Sequence, residues 1–273
     1  MITLQHNSKI KVPWNPDNPF RNKIVLLGHR GYNDRYPENT LLAMRETYKT
    51  GVIGVEFDYR ITKDGEVAAI HDSTVDRTTD FSGNVSDYNL SELMAMDTAI
   101  GTEFEGRDDV KIPSADQVLD EIEGTNYILD LDIKDADAIS VLFDKVKARG
   151  MEKNCFFTSH RNTPALEPIV DEGVLTFPSN ANISEALQYG ISGITTTIQS
   201  NDVYKEAHSE GLLTRQFVSI ANTSQNFVRR HMGYNVNIQM TDFCQDHFTW
   251  AKQMGLEQIN ATDIDDYIKI TNT

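Results

Sequence analysis

The sequence predicts an α/β fold, a (β/α)8 TIM barrel whose second strand is extended by a β-hairpin. Three observations support this: short apolar runs alternate with helix-like stretches, one gap between runs is too short for a helix, and the chain has 273 residues. Such alternation indicates βαβ units around a parallel sheet, and the length suits one barrel. The apolar runs lie at 23–28, 52–61, 66–70, 127–133, 155–159, 174–179, 193–198, 212–217 and 236–242.

The gap between the second and third runs decides how many strands are parallel. Residues 63–66 read KDGE, and four residues cannot make the crossover that two parallel strands require. Asp64 and Gly65 instead predict a two-residue hairpin turn, so that 66–70 returns antiparallel and eight parallel strands remain. A doubly wound open sheet is the alternative fold, but no glycine-rich phosphate-binding fingerprint follows the first strand.

Helical patterns fill the gaps between most of the remaining runs. Several of them close on a glycine, which is the residue that most often ends a helix. They read LLAMRETYKTG at 41–51, SADQVLDEIEG at 114–124, AISVLFDKVKARG at 138–150 and DVYKEAHSEG at 202–211.

Composition predicts one globular domain over 23–273, preceded by an N-terminal extension at 1–22. No run approaches the ~20 apolar residues of a transmembrane helix, and the N-terminus has no signal-peptide pattern. The expected compartment is the cytoplasm, or the exterior if a signal peptide has been removed. The net charge of −16 argues against nucleic acid as a partner. No integral membrane contact is expected, and the oligomeric state stays open.

The chain has two cysteines, Cys155 and Cys244, each in or just after an apolar run. We expect both to be small buried side chains. Two cysteines do not make a disulfide framework, which favours a reducing compartment.

Ionisable residues gather where the first two strands end. With Asp64 and Gly65 at the hairpin tip, paired residue numbers sum to 129, so Asp58 should lie opposite His71, with Cβ atoms about 5 Å apart. Glu56 is two residues from Asp58 and points the same way. His29 and Arg30 end the adjacent first strand. Barrel active sites lie at this carboxyl end of the strands.

The strand at 127–133 adds further charge. Alternation in YILDLDIK places Asp130, Asp132 and Lys134 on one face, with Asp130 deeper in the barrel. Three carboxylates from two strands can hold one hard divalent cation through oxygen. Taken singly, each acid could instead form a surface ion pair.

This set of groups suits a phosphodiester. A cation, Arg30 and Lys134 can neutralise charge on the phosphoryl oxygens. Two histidines can share the proton transfers, one accepting from the nucleophile and one donating to the leaving alkoxide. Arg60, at even spacing from Asp58, could also reach the phosphate.

The sequence resembles the glycerophosphodiester phosphodiesterase family over about residues 24–245. Its HRG and ENT motifs match 29–31 and 38–40, its E-x-D matches Glu56 and Asp58, and its T-K-D-G matches 62–65. Its H-D matches 71–72, its R-T-T matches 77–79, its K-I-P matches 111–113, its E-x-K matches Asp132 and Lys134, and TDF at 241–243 resembles its closing strand.

The resemblance implies a metal-dependent barrel phosphodiesterase with a small inserted lobe at about 73–113. It implies that His29 and His71 are the acid/base pair. It also implies phosphate contacts from Arg30 and Lys134, and one Ca²⁺ or Mg²⁺ held by Glu56, Asp58 and Asp132.

Three positions depart from the family pattern. Asp132 stands where the family has Glu, Ser159-His160 replaces S-F, and the segment from Arg215 to Val218 replaces W-T-V-N. His160 and Arg215 are candidate substrate contacts, or a rim-exposed histidine and an outward-facing surface charge.

The expected reaction is hydrolysis of a glycerophosphodiester, or of a short glycerol-phosphate polymer, to glycerol phosphate and an alcohol. Polar residues at the rim positions suit a small polar alcohol better than acyl chains. Two other classes remain open: a sphingomyelinase D-like enzyme acting on phospholipid head groups, and a non-catalytic module that binds a glycan or glycerophosphate. The presence of both His29 and His71 speaks against the second.

Overall fold

The structure, a computed structural model, describes residues 25–159, 162–179, 181–196, 201–218, 252, 258–261 and 264–271. The predicted N-terminal extension, His160, Cys244 and the predicted strand at 236–242 lie outside these residues. No helix within the described ranges is both long enough and apolar enough to cross a membrane.

Strands and helices alternate as predicted as far as the strand at 213–218, but the last strand is not the predicted one. The strands are β1 (Val25–His29), β2 (Gly54–Ile61), β3 (Val67–Ala69), β4 (Ile128–Ile133), β5 (Cys155–Ser159), β6 (Leu175–Thr176), β7 (Gly193–Thr196), β8 (Leu213–Val218) and β9 (Gln258–Ala261). The α-helices are α1 (Leu41–Lys49), α2 (Leu90–Leu93), α3 (Ala115–Ile122), α4 (Ala138–Ala148), α5 (Ile183–Tyr189), α6 (Asn201–Ser209) and α7 (Ile264–Thr271). Single 3₁₀ helices span Val85–Asp87, Asp108–Val110 and Thr163–Glu172.

The sheet confirms the predicted barrel. Its strands are hydrogen-bonded in the order β6-β5-β4-β2-β1-β9-β8-β7, and every pair in that path is parallel. A parallel bridge between Ser179, just past β6, and Thr195 of β7 joins the two ends of the order. β3 pairs antiparallel with β2 and stands outside the path, as the hairpin prediction required.

The strand that closes the barrel is β9, and the prediction that 236–242 closes it is wrong. β9 pairs with β1 on one side, where Leu27 lies beside Asn260, and with β8 on the other. It escaped the sequence analysis because it is short and half polar: only Ile259 and Ala261 are apolar and buried.

The register of the β2–β3 hairpin also differs from the prediction by one residue. Tyr59 lies opposite Ala69 and Ile61 opposite Val67, so paired numbers sum to 128. The Thr62 amide donates to the Glu66 carbonyl over 2.8 Å, which leaves a three-residue loop, and Gly65 takes a left-handed φ of 76°. Such loops combine a type I turn with a glycine bulge. The predicted pairing of Asp58 with His71 is therefore wrong.

Alternation along β2 and β4 separates the apolar core from the barrel interior. Val55, Phe57 and Tyr59 of β2 are buried in the main apolar cluster with residues of α3 and α4, and so are the odd-numbered residues of β4. The even-numbered residues of both strands point the other way, and four of them are acidic: Glu56, Asp58, Asp130 and Asp132. The same pleat thus buries the core and presents carboxylates to the barrel interior. Cys155 is buried in this cluster, as predicted.

The segment between β3 and α3 has an apolar cluster of its own. The cluster comprises Ala68, Ile70, Val75, Val85, Leu93, Met96 and Ile112. Ser114 then caps α3 and accepts a hydrogen bond from the Gln117 amide over 3.1 Å, a contact that contributes about 1 kcal/mol. This segment brings Asp72 and Arg77 close to the loop that follows β1.

Candidate active site

The turn after β1 sets the position of the first histidine and arginine. Gly31 has φ of 80°, and a Cβ there would lie 2.8 Å from the Ala43 side chain, so glycine is required. Arg30 is itself left-handed, with φ of 56°, a conformation that costs a non-glycine residue free energy. Its amide donates to Glu56 Oε2 over 3.0 Å. The sharp turn thus joins β1 directly to the acidic residues of β2.

Three carboxylates meet at the carboxyl ends of β2 and β4. The parallel register sets His29 beside Glu56, and Asp58 beside Asp132. One oxygen each from Glu56, Asp58 and Asp132 lies within 4.8 Å of the others. Glu56 and Asp58 are fully buried, and Asp132 is partly exposed. The structure therefore brings the three predicted metal ligands together.

Basic residues surround Asp58. Lys134 Nζ lies 2.7 Å from Asp58 Oδ1 and 2.8 Å from Asp132 Oδ2. Arg30 Nε lies 3.2 Å from Asp58 Oδ2. Burial alone would raise the pKa of Asp58, but Lys134 and Arg30 outweigh it and hold the pKa well below its usual value. Burial likewise opposes the charge of Lys134, yet Asp58 and Asp132 raise the lysine pKa.

The carboxylate cluster has spare ligand atoms. Glu56 Oε1 and Asp132 Oδ1 are buried and have no hydrogen-bond partner among the described residues. Burial, and then the charges of Asp58 and Asp132, raise the pKa of Glu56 well above its usual value. Unpartnered buried oxygens and mutual repulsion are costly, and a hard divalent cation bound through oxygen relieves both. The cluster fits such a cation.

His29 is held neutral at ordinary pH. Burial and the neighbouring Arg30 lower the pKa of His29 to about 3. Its Nε2 lies 3.8 Å from Glu56 Oε2. A neutral imidazole can accept a proton, which is what a general base must do.

His71 reaches the site by a route other than the predicted strand pairing. Its charge is one of the lesser influences that lower the pKa values of His29 and Asp58. Its Nδ1 lies 2.6 Å from Asp72 Oδ1. Arg60 donates to the His71 carbonyl over 2.8 Å and pairs with Asp135 over 2.8 Å. Arg60, which the sequence suggested as a phosphate contact, instead binds the backbone carbonyl of His71 and the carboxylate of Asp135.

Glu38 and Asn39 belong to the ENT motif, but the sequence did not predict a role for either residue. Asn39 Nδ2 donates to Asp58 Oδ2 over 2.9 Å, and Asn39 Oδ1 accepts from the backbone amide of Asp58 over 3.0 Å. Asn39 has φ of 55°, a conformation that asparagine tolerates better than most residues. Glu38 accepts from Arg30 and from Arg77. The asparagine at position 39 was the signal in the sequence that could have revealed this role.

Arg215 lies inside the barrel, and its predicted alternative as an outward-facing surface charge is wrong. It is 2% exposed, it pairs with Asp130 of β4, and its guanidinium lies 5.7 Å from the centre of the Phe177 ring. Thr158 also donates to Asp130, over 2.6 Å. Burial raises the pKa of Asp130, and the Arg215 charge opposes that rise. Asp130 is fully buried whereas Asp132 is partly exposed, so Asp130 lies deeper, as predicted.

Comparisons with known proteins point to one family. The sequence model of the "Glycerophosphoryl diester phosphodiesterase family" matches residues 29–264. A glycerophosphodiester phosphodiesterase of Caldanaerobacter subterraneus is 37% identical over 114 residues, 41% of this chain and 46% of that protein. The chain thus spans less than half the length of this curated relative.

Solved structures share the fold at low identity. The glycerophosphodiester phosphodiesterase of Agrobacterium tumefaciens superposes with a TM-score of 0.70 at 21% identity, covering 90% of this chain and 99% of that one. A phosphodiesterase of Oleispira antarctica, solved in complex with the product sn-glycerol-3-phosphate, gives 0.66 at 17% identity, covering 90% and 95%.

Proposed function

Because this chain belongs to the glycerophosphoryl diester phosphodiesterase family, we propose that it hydrolyses a glycerophosphodiester to glycerol phosphate and an alcohol. One observation carries the proposal: Glu56, Asp58 and Asp132 converge next to His29. The sn-glycerol-3-phosphate held by the Oleispira antarctica enzyme, which shares the fold, supports the same product.

One divalent cation, Ca²⁺ or Mg²⁺, would be held by Glu56, Asp58 and Asp132. Three carboxylate oxygens suit either ion, since both prefer oxygen ligands. When bound, the cation supplies positive charge that stabilises the phosphoryl oxygens as negative charge develops on them.

The remaining charge on the phosphate is met by Arg30 and Lys134. Arg30 already bridges Asp58 and Glu38, and Lys134 bridges Asp58 and Asp132. Both side chains are therefore held in place before substrate arrives, and such preorganisation is the main source of electrostatic stabilisation in enzymes.

The two histidines divide the proton transfers. Neutral His29 accepts the proton of the attacking hydroxyl, either a water or a hydroxyl of the substrate next to the phosphate. His71 donates a proton to the oxygen of the leaving alcohol as its bond to phosphorus breaks. If the substrate hydroxyl attacks first, a cyclic phosphate forms, and water opens it in a second step with the histidine roles reversed.

The proposed substrate has a small polar alcohol, as in glycerophosphocholine, glycerophosphoglycerol or a short glycerol-phosphate polymer. The net charge of −16 repels an anionic bilayer over a Debye length of about 8 Å. Arg215 and His160 remain proposed substrate contacts. For Arg215, any anionic group of the substrate would compete with Asp130 for the guanidinium.

The proposal is tested by following phosphorus NMR signals during incubation with glycerophosphocholine and Ca²⁺ or Mg²⁺. Glycerol phosphate and choline are the expected products. Phosphocholine and glycerol would place the cleaved bond on the other side of phosphorus and contradict the proposal. Lysophospholipid micelles serve as the comparison substrate, and faster cleavage of the micelles would overturn the substrate class.

A further inference from the structure

A row of charged contacts links the loop after β1 to the segment after β3. Arg77 is at its centre: it donates to Glu38 Oε2 over 2.9 Å and to Glu38 Oε1 over 2.7 Å. It also donates to Asp72 Oδ2 over 2.6 Å and to Asp72 Oδ1 over 3.1 Å. One guanidinium therefore holds two carboxylates that are far apart in the sequence.

The row continues from Asp72 to His71. An ionised carboxylate only accepts hydrogen bonds, so the 2.6 Å contact requires His71 Nδ1 to carry a proton. In the neutral ring, Nε2 then has no proton and can accept one from the substrate. In the positively charged ring, Nε2 carries the proton that His71 donates to the substrate.

Asp72 needs an anchor to keep this contact. Asp72 and His71 are both partly exposed, and a surface carboxylate next to an imidazole samples several rotamers and is screened by water. The planar fork of an arginine can fix a carboxylate bidentately, which an ammonium cannot. Hydrogen bonds from Arg77 also lower the pKa of Asp72 to about 2, so that it remains an acceptor.

We propose that Arg77 is a positioning residue for His71: it ties Asp72 to Glu38 and thereby keeps the proton of His71 on Nδ1, hydrogen-bonded to the Asp72 carboxylate. Glu38 suits the anchoring role because Arg30 holds it independently, over 3.0 Å. The effect of Arg77 on turnover rests on the proposed function, but its effect on the His71 tautomer does not.

The direct test is nitrogen NMR of the histidine rings in Arg77→Gln. The His71 signals are identified by their loss in His71→Gln. We expect the parent to show a ring protonated on Nδ1, and Arg77→Gln to shift it towards the Nε2-protonated form that free imidazole side chains favour. Arg107→Gln is the matched control, since Arg107 is equally exposed, lies in the same segment and pairs with Asp109 alone among the contacts described.

The kinetic test compares two leaving groups. Arg77→Gln should lower kcat on glycerophosphocholine by roughly ten- to hundredfold with little change in KM, as loss of a tautomer-fixing partner does. The loss should be much smaller on bis(p-nitrophenyl) phosphate, whose leaving group needs no proton. Asp72→Asn should match Arg77→Gln, and the double variant should be no slower than either single variant.

An unchanged His71 tautomer in Arg77→Gln would overturn the proposal. Equal losses on both leaving groups, a rise in KM at constant kcat, or losses that multiply in the double variant would do the same. If the parent cleaves neither substrate, the proposed function fails, while the NMR comparison with Arg107→Gln still decides the role of Arg77.

Discussion

Lys134 Nζ lies 2.7 Å from Asp58 Oδ1, and the same ammonium lies 2.8 Å from Asp132 Oδ2. A single lysine thus bridges two of the three proposed cation ligands. Lys134 and Asp58 are both deeply buried. Removing one member of a buried pair leaves the other uncompensated, which is costly.

Lys134→Gln should therefore destabilise the protein by about 3–5 kcal/mol in the presence of a chelator. Added Ca²⁺ should recover part of this loss, because a ligand that binds only the folded state raises its stability. Urea unfolding with and without Ca²⁺ measures both effects. Lys145→Gln is the control: that lysine pairs with the more exposed Asp116 over 2.8 Å, and its loss should cost no more than about 1 kcal/mol. Equal losses in the two variants would contradict the argument.

Replacing either proposed acid/base histidine should abolish most of the activity. His29→Ala and His71→Ala should each lower turnover of glycerophosphocholine at least ~10²-fold, as loss of a general acid or base does. His208→Ala is the comparison, because His208 bonds to Thr214 on β8 and has no place in the proposed chemistry. Parental turnover by either of the first two variants would remove that histidine from the mechanism.

Cation affinity should follow the length and charge of the proposed ligands. Asp132→Glu should bind Ca²⁺ more tightly than the parent if the shorter side chain merely weakens coordination, and Glu56→Gln should bind it at least tenfold more weakly. Isothermal titration calorimetry reads both affinities without relying on activity. Asp120→Asn alters an exposed ion pair with Arg149 and should bind as the parent does. The idea fails if Glu56→Gln retains the parental affinity, or if exhaustively chelated enzyme remains fully active.

The pair formed by Asp130 and Arg215 should behave as one unit. Arg215→Met leaves a buried carboxylate without its counter-charge and should cost about 3–5 kcal/mol, whereas the double variant with Asp130→Asn should recover much of that loss. Chemical denaturation of the two single variants and the double variant gives the coupling free energy. Additive losses would show that the two side chains do not depend on each other.

A substrate contact by Arg215 is tested separately, with the stable double variant. The ratio of glycerophosphoglycerol to glycerophosphocholine turnover should fall relative to the parent if the guanidinium selects an additional negative charge. An unchanged ratio would leave Arg215 with a structural role alone.

Much of the site could be predicted because strand alternation is local. Successive side chains of a strand point to opposite faces, so the sequence around Glu56 and Asp58 was enough to place both carboxylates on one face. The same rule related Asp132 to Lys134. Their meeting at one end of the barrel followed from the parallel order of the strands, since parallel strands end at the same edge.

What the sequence could not decide depends on closure and on contacts between distant segments. Whether the loop at 63–65 has two residues or three depends on the backbone of Gly65, and that one residue changes which face His71 would occupy. The closing strand at 258–261 is recognisable only by its two partners, β1 and β8, because its own four residues carry little pattern.

The pairing partners of two arginines were decided by the tertiary structure alone. Arg215 and Asp130 come from β8 and β4 and meet only because the barrel closes around them, which converts a predicted rim residue into a buried ion pair. Arg77 meets Glu38 only because the segment after β3 folds back over the loop after β1. A sequence determines which face a strand presents, but which charges satisfy one another is set by the three-dimensional packing that brings those faces together.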